Sequence, residues 1–247
     1  MITNAALSLA VLALAFAATL VGRLIARRGR PHMRPLRAYD TLPALAADAV
    51  ESRNKIHFSL GSSALGDTST ITALTSAEVI YRLSERLAIS YQTPLVTLSS
   101  MMTLPLAQDT LRRAYEYRQN MEYYRSSAAF WYPQGPRSLA FAAGVGSLAA
   151  DADVTSSLLL GRFGYELALI GESALRHDQD IIVHSDLVEG QAIAYAQANE
   201  TLLGEELYVG PAYLRGSALE WGGVFALDVL RWMVIFGILL AAVQAAV

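Results

Sequence analysis

The chain contains no cysteine. Disulfides, thiolate metal sites and cysteine nucleophiles are therefore excluded together, while the compartment is left open. It also lacks an excess of positive charge. Nineteen Lys and Arg against 22 Asp and Glu give a net charge of −3, so no global field recruits nucleic acid, which is not an expected partner. No internal repeat and no low-complexity tract is present. Two phosphate-binding fingerprints are missing as well. Gly61-Ser-Ser-Ala-Leu-Gly66-Asp67-Thr68 has the G-x4-G spacing of a Walker A loop, but Asp67 occupies the lysine position, where a carboxylate repels phosphate. Nor is the loop G-x-G-x-x-G. Asp67, Thr68, Ser69 and Thr70 read instead as helix-capping residues, which leaves backbone N–H groups at that helix start as the remaining way to hold a nucleotide.

What is abundant is apolar: the hydrophobic fraction is 53%, and much of it lies at the two ends. Ala5 to Gly22 and Trp232 to Val247 are nearly unbroken apolar runs. Each is near the length an α-helix needs to cross a hydrocarbon core of roughly 30 Å. The expected division is an N-terminal transmembrane helix (1–27), a basic Pro/Arg linker (28–40), an α/β domain (41–215) and a C-terminal juxtamembrane and transmembrane helix (216–247). Met1-Ile-Thr-Asn4 carries no basic side chain, whereas Arg23, Arg27, Arg28, Arg30, Arg34 and Arg37 follow the first run. The positive-inside rule then places both termini outside and the central domain in the cytoplasm of a plasma or inner membrane. Ala15-Phe16-Ala17 resembles a signal-peptide cleavage site, but such peptides carry their positive charge in front of the apolar run. Asp228 and Arg231 sit three apart before the second run and can pair there, and Trp221 and Trp232 suit a headgroup-level belt. Small residues recur at helical spacing, Ala6, Ala10, Ala13 and Ala17 in one run and Gly237, Ala241 and Ala245 in the other. Such stripes let helices approach closely, within the chain or between copies.

Between the ends, strand and helix patterns alternate. Lys55–Leu60, Pro94–Leu98, Ala128–Tyr132, Val154–Leu160, Asp180–His184 and Thr201–Leu203 read as strands. Helices are expected at Thr41–Ser52, Ile71–Ala88, Leu104–Gln119, Pro136–Ala150, Gly164–Arg176 and Leu187–Ala198. Alternation of this kind means βαβ units and a mostly parallel sheet covered on both faces. The expected fold is a Rossmann-like three-layer α/β sandwich.

In such sheets ligands gather beyond the carboxyl ends of the strands. Reading those ends off the sequence selects Ser62, Ser63, Ser99, Arg162 and Asp186 as candidate ligand-binding residues. Loops of this type are also rich in Gly, Ser and Asp for turns and caps alone. Other constellations are weaker. His177, Asp178, Asp180, His184 and Asp186 lack a third metal ligand fixed by spacing. Ser99 or Ser100 with His184 and Asp186 makes a nominal triad without the G-x-S-x-G elbow. His57, inside the first strand, reads as a core residue. Arg112 to Tyr132 interleaves Arg with aromatics, as protein interfaces, packed cores or single-strand binders do. Glu205 and Glu206 read as a charged turn. No catalytic residue, metal or cofactor is assigned.

Several segments carry a family resemblance: Leu36-Arg-Ala-Tyr-Asp40 after the Arg/Pro-rich linker, Ser59-Leu-Gly-Ser62, Leu160-Gly-Arg-Phe-Gly164, Gly204-Glu-Glu-Leu207 with Ala212-Tyr-Leu214, and Leu227-Asp-Val-Leu-Arg-Trp232. Together they resemble an uncharacterised family of bacterial membrane-anchored Rossmann-like α/β proteins, a domain of unknown function. The resemblance spans nearly the whole chain and implies architecture only, with no activity to carry over. The expected role is non-catalytic assembly or scaffolding at a membrane, by self-association or with other membrane proteins. The alternatives are a nucleotide-like ligand sensor or enzyme using the crevice, and an accessory subunit of a larger membrane complex.

Overall fold

A computed structural model describes residues 2–29, 34–151 and 154–246. The chain divides into two units, one of Pro35–Gly210 and one of the two terminal segments, Met1–Arg34 with Pro211–Val247.

The central unit runs α2 (Arg37–Ser52), β1 (Lys55–Gly61), α3 (Thr70–Leu87), β2 (Leu95–Leu98), α4 (Leu104–Tyr117), β3 (Ala129–Trp131), α5 (Leu139–Asp151), β4 (Val154–Arg162), α6 (Leu167–Arg176), β5 (Asp180–Ser185), α7 (Val188–Gln197) and β6 (Glu200–Leu202). The helix α1 that precedes it belongs to the terminal unit. All strand pairings are parallel, in the order β3-β2-β1-β4-β5-β6. This is a Rossmann-like α/β sheet, and its order reverses between β1 and β4. Both faces of the inner strands are covered: every residue from Ile56 to Gly61 is buried, the polar His57 and Ser59 included. Leu159, Ile181 and Val183 pack one face against Phe141, Ala142 and Val145 of α5, Leu167, Ile170 and Ala174 of α6, and Ala194 of α7. Leu158, Leu160 and Ile182 alternate to the other face, beneath α2, α3 and α4.

Two segments differ from the sequence reading. Glu205 and Glu206, expected in a charged turn, lie in a 3-10 segment (Gly204–Val209) that is followed by α8 (Gly210–Arg215). The Leu203 N–H donates to Glu206 Oε2 at 2.8 Å, so this carboxylate caps the segment. Tyr39 of α2, almost fully buried, places its hydroxyl 3.0 and 3.1 Å from the Glu206 and Leu207 carbonyls. Burial and the nearby Glu206 charge push this phenol well above its ordinary range. Helix α2 also begins four residues earlier than expected, with Pro43 inside it.

The terminal unit is built on α1 (Ile2–Arg28) and α9 (Ala218–Ala246). At 1.5 Å per residue their 27 and 29 residues extend about 40 and 43 Å. Both are long and apolar enough to cross a membrane, and only 11% and 6% of their most apolar stretches are buried. A core helix of a soluble protein shows the reverse. Leu7, Leu12, Phe16, Phe236 and Ile238 are instead exposed. Ser217 and Glu220 form a capping box that starts α9: the Ser217 N–H donates to Glu220 Oε2 at 3.1 Å, and Ser217 Oγ accepts the Glu220 N–H at 3.4 Å.

The two helices pack on one another. A Cβ added at Gly222 would lie 2.5 Å from the Thr19 carbonyl oxygen, and one at Gly22 would lie 2.6 Å from Phe225 Cβ. The contact face is therefore Ala15, Ala18 and Gly22, not the stripe picked from the sequence. Ala6, Ala10, Ala13 and Ala17 are exposed, as are Gly237 and Ala241. Glycine admits a closer backbone approach than alanine, and the two glycines set the rotational phase. The Ala245 side chain and Arg30 lie outside the described residues. Arg27 and Arg28 occupy the last turn of α1. Trp221, expected at the headgroup level, is buried, whereas Trp232 is 69% exposed.

Candidate functional site at the carboxyl ends of the strands

Ser62, Ser63, Ser99, Arg162 and Asp186 all fall on one rim, beyond β1, β2, β4 and β5, around the point where the strand order reverses. The loop after β1 begins at a bulge between Ser59 and Gly61. Gly61 turns there with φ +57°, and its Cβ would collide with the Arg162 carbonyl oxygen. Gly161 faces it: a Cβ there would strike the Leu60 carbonyl group. The strand ends thus meet backbone to backbone, an approach only glycine permits.

The polar groups of the rim bond chiefly to one another. Ser62 donates through its N–H and its hydroxyl to the Arg162 carbonyl, at 2.9 and 3.0 Å. Arg162 N–H returns a bond to Ser63 Oγ at 2.8 Å. Ser99 donates to the Gly61 carbonyl through N–H (2.9 Å) and Oγ (3.1 Å), and Thr103 Oγ1 donates to the Ser63 carbonyl at 2.6 Å. Arg162 reaches across the rim: Nε lies 3.1 Å from both oxygens of Asp186, and Nη2 donates to Thr68 Oγ1 at 3.0 Å. Its Nη1 is 3.9 Å from Asp67 Oδ2. A guanidinium so placed already has two carboxylates.

The loop that leads into α3 satisfies its own donors in the same way. The N–H groups of Ala64, Gly66 and Ser69 bond Ser69 Oγ, Thr70 Oγ1 and Asp67 Oδ1, at 2.9, 2.9 and 2.6 Å. The helix-capping role read for Asp67, Thr68, Ser69 and Thr70 is not the one found: Ser69 at the N-cap makes no side-chain bond to the helix, and the side chains of Asp67, Ser69 and Thr70 bond the loop instead. Bonds from the Ser69 hydroxyl and N–H hold Asp67 below the usual carboxylate range, with the Arg162 charge adding to them. An incoming phosphate would find these three loop N–H groups taken and a carboxylate at the helix start.

Sequence reasoning read Thr68 only as a capping residue and missed Thr103, because their contacts cross between loops that lie far apart in the chain. Ser185, the last residue of β5, adds to the bonds within the rim: its hydroxyl donates to the Phe163 carbonyl at 2.7 Å and accepts the Leu187 N–H at 3.1 Å.

The other constellations do not assemble. Among the described residues no group of three His, Asp or Glu side chains is placed to hold a metal. Ser99 and His184 stand at strands separated by β1 and β4, about 14 Å apart at the normal strand spacing. His184 Nδ1 lies 2.9 Å from the Leu202 carbonyl, and its buried Nε2 has no partner among the described residues. Burial lowers its pKa against the opposing pull of the Leu202 carbonyl, Asp186 and Glu206. In the Arg/aromatic stretch, Tyr115 is buried, Arg112 pairs with Asp109 and Glu116, and Arg113 pairs with Asp109.

His57 is the core residue expected. Its Nε2 lies 2.8 Å from Thr97 Oγ1 and its Nδ1 3.2 Å from Ser157 Oγ. Thr97 donates on to Ser59, and Ser157 to Gln179. A buried polar band therefore crosses the sheet through β2, β1 and β4, and burial lowers the His57 pKa to about 4.

A family model described as a domain of unknown function, DUF6754, matches residues 1–247. No curated protein and no solved structure matches the chain.

Proposed function

We propose that this chain, which belongs to the DUF6754 family along its whole length, is a membrane-anchored assembly module whose α/β domain does no catalysis at its carboxyl-end crevice. One observation carries this reading. Where Rossmann-like sheets gather ligands, this one ties Arg162 to Asp186, Thr68 and Asp67 and joins the Gly61 and Gly161 strand ends. The crevice chemistry fastens the fold.

The helices supply the anchor. Two spans joined by one domain on a single side must run in opposite directions, and Arg23, Arg27 and Arg28 at the end of α1 favour the cytoplasm for that side. The face holding α1 to α9 uses Gly22 and Gly222, which leaves Ala6, Ala10, Ala13 and Ala17 open toward lipid or a second copy. The native chain has no cysteine, so a single Ala13→Cys substitution reports on that face alone. Oxidation in native membranes should give a disulfide-linked dimer, and the detergent-solubilised protein should have at least twice the chain mass. A monomeric mass with no cross-link would refute self-assembly. A fixed-stoichiometry companion in place of the second copy would make the chain an accessory subunit.

A second reading, a small-ligand crevice, is favoured by the unpartnered His184 Nε2 close to Asp186. Thermal shifts with nucleotides and divalent metals test it, since a ligand at a hundredfold its Kd adds about 2.7 kcal/mol.

A further inference from the structure

The opposite end of the sheet holds a cavity of about 300 Å³, at the lower limit of the size that takes small molecules, roughly 300–1,000 Å³. We propose that this amino-end cavity binds a small anion joined to a planar ring, of the nucleoside monophosphate class.

Its charge is the first reason. Lys55 opens β1 and lines the cavity with Arg125. Lys55 is the only lysine in the chain; every other basic side chain except histidine is arginine. Among the described residues neither cation has a carboxylate within 4.0 Å. Arg125 Nη1 donates to the Glu122 and Tyr124 carbonyls at 3.0 and 3.3 Å, bonds that orient the guanidinium without neutralising it. The nearest acid in sequence, Glu122, is engaged elsewhere: its hydrogen bond to the Tyr123 hydroxyl pushes that phenol up. Two cations around one hollow, neither facing a carboxylate among the described residues, attract an anion.

The rings are the second reason. Tyr91, Tyr123 and Phe130 line the same cavity. Tyr91 is 74% exposed and meets Tyr123 edge to face, with centroids 5.0 Å apart and planes at 81°. That geometry leaves the Tyr91 ring face open for a stacked partner. Phe130 pairs with Thr97, Thr97 with Ser59, and Ser59 lies four residues along β1 from Lys55, so Phe130 and Lys55 share one face of the sheet. Gln92 adds an amide at the wall. Cations for an anion and ring faces for a base thus line one hollow, at the end of the sheet away from the fastened crevice.

The single lysine makes the test direct. In the full-length protein in detergent, an amine-acylating reagent reaches Lys55 and the α-amino group, and peptide mass spectrometry reads both rates. Adenosine and guanosine monophosphate should slow Lys55 acylation at least about fivefold at millimolar concentration while the α-amino rate stays constant. Arg125→Gln and Tyr91→Ala, both on exposed side chains, should each weaken that protection about tenfold. Lack of protection by either nucleotide overturns the proposal. So does equal protection by inorganic phosphate or by the phosphate-free nucleosides, because the rings or the cations would then add nothing. Protection by vesicles of anionic phospholipid, where nucleotides give none, overturns it in favour of a lipid headgroup. These readouts are independent of chain mass and cross-linking, so assembly and ligand binding stand or fall separately.

Discussion

The two ends of the sheet handle charge in opposite ways. At the carboxyl end Arg162 meets Asp186, Thr68 and Asp67, and loop N–H groups bond within the loop. At the amino end Lys55 and Arg125 border a hollow, and among the described residues neither meets a carboxylate. A cation with its partners supplied by the fold contributes to stability. One without partners contributes little to stability and is available to something outside the chain. At the end where related sheets recognise ligands the polar groups bond one another, and at the opposite end two cations face no carboxylate among the described residues.

This contrast fails or sharpens under four changes. The largest effect belongs to Gly161→Ala, which drives a methyl group into the Leu60 backbone. Guanidinium unfolding should show a loss of about 3 kcal/mol; a loss below about 1 kcal/mol would mean the strand ends are free to part.

Acid acts on the polar band between the two ends. His57 titrates near 4 when folded and near 6.5 when unfolded. Between these values the unfolded chain binds a proton that the native state refuses. Stability is therefore complete above pH 6.5 and declines toward pH 4, by up to about 3 kcal/mol. His184, lowered in the same direction, adds to the slope. Denaturation midpoints from pH 7 to 4.5 should fall, and His57→Gln should flatten the fall whatever it does to the absolute values.

Asp186→Ala removes one carboxylate from Arg162. Because the guanidinium side chain is a quarter exposed, water takes over part of the lost interaction, and the expected cost is about 1–2 kcal/mol. At the other end Lys55→Gln should change stability by less than about 0.5 kcal/mol. Equal costs from these last two substitutions, in one thermal-denaturation series, would erase the distinction between the ends.

The strands were legible because parallel strands buried on both faces leave short continuous apolar runs, as in Leu158–Leu160 and Ile181–Val183. Their order made the rim legible too, and Ser62, Ser63, Ser99, Arg162 and Asp186 do share it. What the rim does was not legible. Arg162 finds Thr68 ninety-four residues away in sequence, and no spacing rule anticipates that bond. The contact face of α1 was hidden for a different reason: a helix apolar on all sides has no amphipathic phase, and only the partner glycine in α9 selects one. The amino-end cavity draws Lys55, Tyr91 and Arg125 from three separate segments, none of which forms a motif.

The close seating of Gly22 against Gly222 and Phe225 bears on the fate of a damaged molecule. Chain scission anywhere between the helices would sever the polypeptide without severing the pair. Both fragments would stay together, held by α1 and α9, and a nicked copy would co-purify as one particle. Expressing the halves from separate transcripts should, on the same grounds, return them to each other.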